Sequence, residues 1–173
     1  MKLKDFKFKN ILNILKKNLP LILLVLILIA ITVVSIKPGK YILSNDNYSP
    51  ELNPALSVSR YLESPAWRGY RVLGFASDSE QADIFRSMSF SVLDLFLPNW
   101  SLSQVFSFFC LFVGTISMAY LSKCFVSDFL TKKYQGLIFF LSGIIYLTTL
   151  WTAWVFNFNM MPYISQYGFL PLL

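Results

Sequence analysis

Leu19–Ile36 reads LPLILLVLILIAITVVSI, 18 residues without a charge. At about 1.5 Å rise per residue, a helix of that length covers roughly 27 Å, close to the thickness of a hydrocarbon core. Pro20 falls in the first turn expected for such a helix, where a missing N–H costs nothing. Upstream, residues 1–18 carry Lys2, Lys4, Lys7, Lys9, Lys16 and Lys17 against Asp5 alone. A cleaved signal peptide fits poorly. The charged region is long, the apolar run exceeds the usual core of about 7–15 residues, and Lys37-Pro38-Gly39-Lys40 follows where small residues should mark a cleavage site. The reading is an uncleaved anchor helix.

Two further uncharged stretches lie downstream. One falls between Asp94 and Lys123, with a spanning part over 102–122. Leu97-Pro98-Asn99-Trp100 precedes it and suits an interfacial turn with an aromatic anchor. The other begins at Tyr134, with a spanning part over 136–156 and Trp151 and Trp154 near its far end. Lysines set the orientation. The N-terminus is basic, and the 123–135 connection holds Lys123, Lys132 and Lys133 against Asp128. Both segments belong on the cytoplasmic side by the positive-inside rule. Residues 37–101 are then external, with six basic and seven acidic side chains.

The composition agrees with these spans. Charged residues make up 14% of the 173, and mean hydropathy is +0.57. A soluble domain carries about 25% charged residues. There is no His, which removes His-based triads and Cys/His zinc sites. No Gly-rich phosphate-cradling motif occurs. Cys110 and Cys124, roughly 21 Å apart if they share a helix, cannot pair and are expected to be packing residues. The basic N-terminus, with Phe6 and Phe8 between its lysines, is expected to face anionic lipid, not nucleic acid.

The expected fold is therefore all-α and polytopic. It has a cytoplasmic N-terminus at 1–18, spans at 19–36, 102–122 and 136–156, and a long external first loop holding short interfacial helices. The expected location is the plasma (inner) membrane, multi-pass. Residues 157–173 end apolar, in Gly168-Phe169-Leu170-Pro171-Leu172-Leu173. They are expected to lead into a fourth span of a longer protein, so that the chain alone would lack a complete active site.

The external loop is too long to be a mere connection. Asn53-Pro54 predicts an N-cap and first residue of a helix over 54–63, ending before Pro65. Phe85, Met88, Val92 and Leu95/Phe96 recur at helical spacing and predict an amphipathic helix over 82–96 lying along the interface. Asp46 stands between Asn45 and Asn47, ten residues past the end of the first span. A carboxylate there can deprotonate a hydroxyl, help bind a divalent ion such as Mg or Ca, or merely cap a turn. Asp78, Glu80 and Asp83 read as a divalent-ion cluster or as the acidic first turn of the helix that follows. Asn47-Tyr-Ser and Asn99-Trp-Ser match the N-glycosylation pattern, the first followed by Pro50 and the second at the membrane surface.

The stretches SNDNYSPELNPALSVSRYLES, WRGYRVLGFASDSEQADIFR and LDLFLP, set behind one N-terminal span, resemble the GT-C superfamily of integral-membrane glycosyltransferases. They look like the start of bacterial membrane proteins related to arabinofuranosyltransferases. The resemblance covers about residues 20–125. It implies an inverting transfer from a polyprenyl-phosphate-linked sugar to an extracytoplasmic glycan or lipid acceptor, with the first-loop Asp, here Asp46, as catalytic base. The sequence has Asn-Asp-Asn where a paired Asp-Asp would favour a metal, and no cofactor is certain. Under the same resemblance Arg68 and Arg71 would bind the leaving phosphate, with Arg60 and Arg86 as second choices. Trp67 and Tyr70 would stack on a sugar or anchor the loop at the interface, and Glu51 is the reserve carboxylate or a solvated charge before the Asn53 helix. A transporter or flippase, or a non-catalytic membrane scaffold, are the alternatives. The absence of ionisable groups inside the spans counts against transport.

Overall fold

A computed structural model describes residues 2–41, 52–63, 84–157 and 161–173. Among them there are helices and turns and no strand. The helices are α1 (Lys2–Ser35), α2 (Pro54–Glu63), α3 (Ile84–Leu93), α4 (Asn99–Val126), α5 (Lys132–Thr148), α6 (Leu150–Asn157) and α7 (Met161–Phe169), with a 3-10 turn at Leu170–Leu172. Two of them are long and apolar enough to cross a membrane, α1 over Asn18–Ser35 and α4 over Asn99–Val126.

α1 corrects the reading of Pro20. The helix starts at Lys2 and passes through the proline, so Pro20 is interior. Its ring removes the N–H that would bond the Lys16 carbonyl. Such a break is tolerated because the surroundings can satisfy the freed carbonyl. Past the helix, Lys37–Lys40 close a turn with a backbone bond of 3.2 Å. Gly39 has φ +72° there, which fits the third position of a turn with proline at the second.

α4 contains the whole of the predicted second span. Its hydroxyls turn back on the helix. Ser107 donates to the Ser103 carbonyl at 2.7 Å, and Thr115 to that of Leu111 at 2.7 Å. Thr32 in α1 and Ser142 in α5 do the same. An apolar medium favours this, since a hydroxyl bonded to its own backbone leaves no donor unsatisfied.

α4 and α5 pack antiparallel. Tyr120 meets Phe139 edge to face at 5.0 Å, and Tyr146 approaches Gly114 further along. α1 lies beside α5, with Pro20 at Gly136 and Leu24 at Gly143. The two therefore run in the same direction. Only 11% of the α1 apolar stretch is buried, so most of it faces outward.

The predicted third span, 136–156, is not one helix. α5 stops at Thr148 and Thr149 is extended, with φ −63° and ψ 144°. The hydroxyl of Thr149 accepts from the Thr152 amide at 3.4 Å and so caps α6. The hydroxyls of Thr149 and Thr152 both donate to the Tyr146 carbonyl, a group left over by the end of α5. α7 then packs along α4, with Gly168 against Cys110, and Tyr146 donates its hydroxyl to the Tyr167 carbonyl at 3.0 Å. The threonines thus divide the third apolar stretch into two pieces. α7 returns against the centre of α4.

Cys110 and Cys124 share α4 and are free, as expected. Cys110 is buried, but Cys124 is exposed and not a packing residue.

Candidate functional site

The site stands at the end of the bundle where α1 exits, α4 begins, and α2 and α3 meet. α2 has the predicted bounds. The Asn53 side-chain oxygen accepts from the Leu56 amide at 3.0 Å, the N-cap bond that the Asn-Pro pair implies. α3 ends at Leu93, three residues before the end of the predicted 82–96 helix. The predicted turn at Pro98 is present, and Pro98 itself is the N-cap of α4.

α3 carries the main structural surprise. Its apolar side is outward: Phe85 is 62% exposed, and Met88, Val92, Leu95 and Phe96 are exposed as well. Its buried side holds Arg86, Ser87 and Phe90. Arg86 is 2% exposed, and its guanidinium lies 5.8 Å from the Phe90 ring centroid, within cation–π range. Phe90 in turn meets Phe106 of α4 edge to face at 5.4 Å. In water such a helix would be inside out. In contact with lipid it is the right way round, since an apolar face is then solvated and a cation is held within the protein.

Beside this ladder, Phe85, Met88 and Val92 of α3 face Val105, Phe106 and Phe109 of α4 across a groove of about 560 Å³. The hydroxyls of Ser87 and Ser103 are buried with no hydrogen-bond partner among the described residues. They lie on α3 and α4 near this junction.

Gln104 of α4 holds the site to α1. Its side-chain oxygen accepts from the Lys37 amide at 2.9 Å. Its amide group donates to the Lys40 carbonyl at 2.7 Å, to that of Lys37 at 3.2 Å and to that of Trp100 at 3.3 Å. Lys40 precedes Asp46 by six residues. One buried side chain therefore fixes the backbone that leads to the predicted base. Sequence reasoning missed it. The available signal was a lone amide in the apolar run SLSQVFSFF, where a polar side chain must find partners. Gln104→Met keeps the volume and removes every one of these bonds. We expect it to lower stability by about 2 kcal/mol and to speed hydrogen exchange at residues 37–41. Unchanged protection there would count against the clamp.

The predicted site residues Asp46, Glu51, Trp67, Arg68, Tyr70 and Arg71 lie outside the described residues, as do Asp78, Glu80 and Asp83. Arg60 belongs to α2, and its side chain is outside them too. Arg86, a second choice for phosphate binding, is described and is the buried cation of the site. Among the described residues no cluster of metal-ligating side chains occurs. Compared with protein-family models, curated proteins and solved structures, the chain matches none of them.

Proposed function

We propose that the chain is embedded in a membrane and forms the N-terminal part of a glycosyltransferase. Its donor is a polyprenyl-phosphate-linked sugar and its acceptor an extracytoplasmic glycan or lipid hydroxyl. In this reading α1 and α4 cross the bilayer, α5 and α6 make a broken third pass, and the N-terminus is cytoplasmic. The observation that carries the proposal is α3, with lipid-compatible side chains outward and Arg86 inward, beside an apolar groove. A donor of this class has the matching halves, an isoprenoid chain and a phosphate.

Asp46 takes the proton of the acceptor hydroxyl. The acceptor oxygen attacks the anomeric carbon as the carbon–oxygen bond to the lipid phosphate breaks, and the electron pair leaves with the phosphate. Attack opposite the leaving group inverts the anomeric centre. Arg68 and Arg71 supply the cationic charge that the departing phosphate needs, with Arg60 and Arg86 as second choices, since guanidinium matches phosphate oxygens in a two-pronged fork. Trp67 and Tyr70 stack on the sugar, and Glu51 stands by as a second carboxylate.

Transport would make use of the broken helix at Thr149, because discontinuous helices line many transporter sites. Here the hydroxyls of Tyr146, Thr149, Thr152 and Tyr167 bond one another or the helix-end carbonyls. This is how a helix break is stabilised, and it argues against a cargo site.

The test is sugar transfer by the full-length protein from a synthetic polyprenyl-phosphate donor, comparing wild type with Arg86→Lys. Lysine keeps the charge but loses the fork. We expect the donor KM to rise about tenfold, the equivalent of roughly 1.4 kcal/mol, with a smaller change in kcat. An unchanged donor KM in a folded variant would remove Arg86 from donor binding, and no transfer by wild type would remove the activity.

A further inference from the structure

At the other end of the bundle α1, α4 and α5 converge on a cavity of about 70 Å³. Asn18, Pro20, Tyr120, Lys123, Gly136 and Phe139 line it. We infer that this cavity binds the phosphate of an anionic phospholipid headgroup. The inference goes beyond the glycosyltransferase reading and rests only on its membrane part.

The first reason is charge. Lys16, Lys123 and Lys132 stand at this end of the helices, against Asp128 alone among the described residues. A basic notch between membrane helices is the usual form of a headgroup site.

The second reason is the lining. Lys123 brings an ammonium, Asn18 an amide and Tyr120 a hydroxyl, all able to donate to phosphate oxygens. The edge-to-face contact of Tyr120 with Phe139, at 5.0 Å, forms an apolar wall beside them. Weak screening near such a wall strengthens the pull of the lysine on an anion.

The third reason is shape and level. A Cβ on Gly136 would come within 3.2 Å of the Pro20 ring, so any larger residue narrows the notch. Asn18 opens the apolar stretch of α1, which sets the cavity at the edge of the spanning region, where headgroups lie.

Native mass spectrometry of the full-length protein, released from detergent with added phosphatidylglycerol or phosphatidylcholine, tests the site. We expect one phosphatidylglycerol to be retained in preference to phosphatidylcholine. Lys123→Gln should lower that retention about fivefold, the effect of one lysine near a membrane surface. Lys123→Arg should restore it, Gly136→Leu should lower it by narrowing the notch, and Lys40→Gln, at the opposite end, should leave it unchanged.

Equal retention of both lipids, or no response to Lys123→Gln and Gly136→Leu, overturns the site. Millimolar inorganic phosphate that replaces the lipid one for one keeps the phosphate site but makes the free ion its ligand. Alkaline carbonate extraction separates the two failures. A chain that stays in the membrane pellet yet shows no lipid preference refutes the cavity alone. A chain that washes off refutes the membrane reading itself.

Discussion

Asp46→Asn in the full-length protein should lower kcat for sugar transfer about a thousandfold and leave the donor KM nearly unchanged. Positioned general bases contribute about 10²–10⁴-fold. An amide of the same shape removes the base while keeping size and hydrogen bonding. The neighbours cannot substitute, because Asn45 and Asn47 carry amides. Glu51, five residues on, is the next carboxylate in the sequence, so Glu51→Gln should have a much smaller effect alone and should remove residual activity in the double variant. A split of this kind, with kcat falling and donor binding kept, is what a group acting in the transition state produces. Asp46→Asn with wild-type turnover would end the assignment of the base, whatever Arg86→Lys does to donor binding.

How far the sequence could lead depended on what each residue must satisfy locally. Asn53-Pro54 set the start of α2 to the residue, because a cap oxygen and a missing N–H are local requirements. Pro98 marked the turn before α4, though the helix begins at Asn99, three residues ahead of the predicted span. Charge-free length was enough to find α1 and α4 as apolar helices. It failed at Pro20 and Thr149, where charge gives no signal. A proline placed early in an apolar run reads as a helix start, yet the basic segment before it continues the same helix. Thr149 looks neutral in hydropathy, yet its hydroxyl ends one helix and caps the next.

The face of α3 was legible in the spacing of Phe85, Met88 and Val92. Burial of Arg86 on the other side was not, because periodicity separates two faces without saying which meets the protein. Gln104 was hidden for a related reason. Its partners outside α4 are backbone groups more than sixty positions away, and no local pattern encodes them. The strongest sequence candidates, from Asp46 to Arg71, rest on chemistry and resemblance; the described residues add Gln104, the groove and the burial of Arg86, which the sequence named only as a second choice.

Gly168→Leu should displace α7 from the bundle, the largest loss of stability expected of any single substitution among the described glycines. A Cβ at Gly168 would lie 2.6 Å from the Cys110 carbonyl oxygen and 2.9 Å from the Cys110 Cβ. Those atoms belong to the backbone and first side-chain carbon of α4 and cannot rotate away. Overpacking of this kind costs typically about 1–3 kcal/mol for small insertions, so Gly168→Ala should already cost roughly 2 kcal/mol and the leucine more. Gly114→Ala meets the Tyr146 ring, with its Cζ at 2.9 Å. That ring is held by stacking on Tyr167 at 5.0 Å and by its bond to the Tyr167 carbonyl, so the cost should be similar. Gly143→Ala is the informative contrast. Its closest neighbours are the methyl groups of Leu24, at 2.6 and 2.8 Å; Leu24 is itself buried, but these are the ends of one side chain and not backbone, so they can give further than the Cys110 carbonyl. Thermal unfolding in detergent should therefore rank Gly168→Ala and Gly114→Ala well below Gly143→Ala. Equal midpoints for all three would mean that α7 does not rest on α4. The polar knot of Tyr146, Thr149, Thr152 and Tyr167, which depends on that contact, would then have to be satisfied some other way.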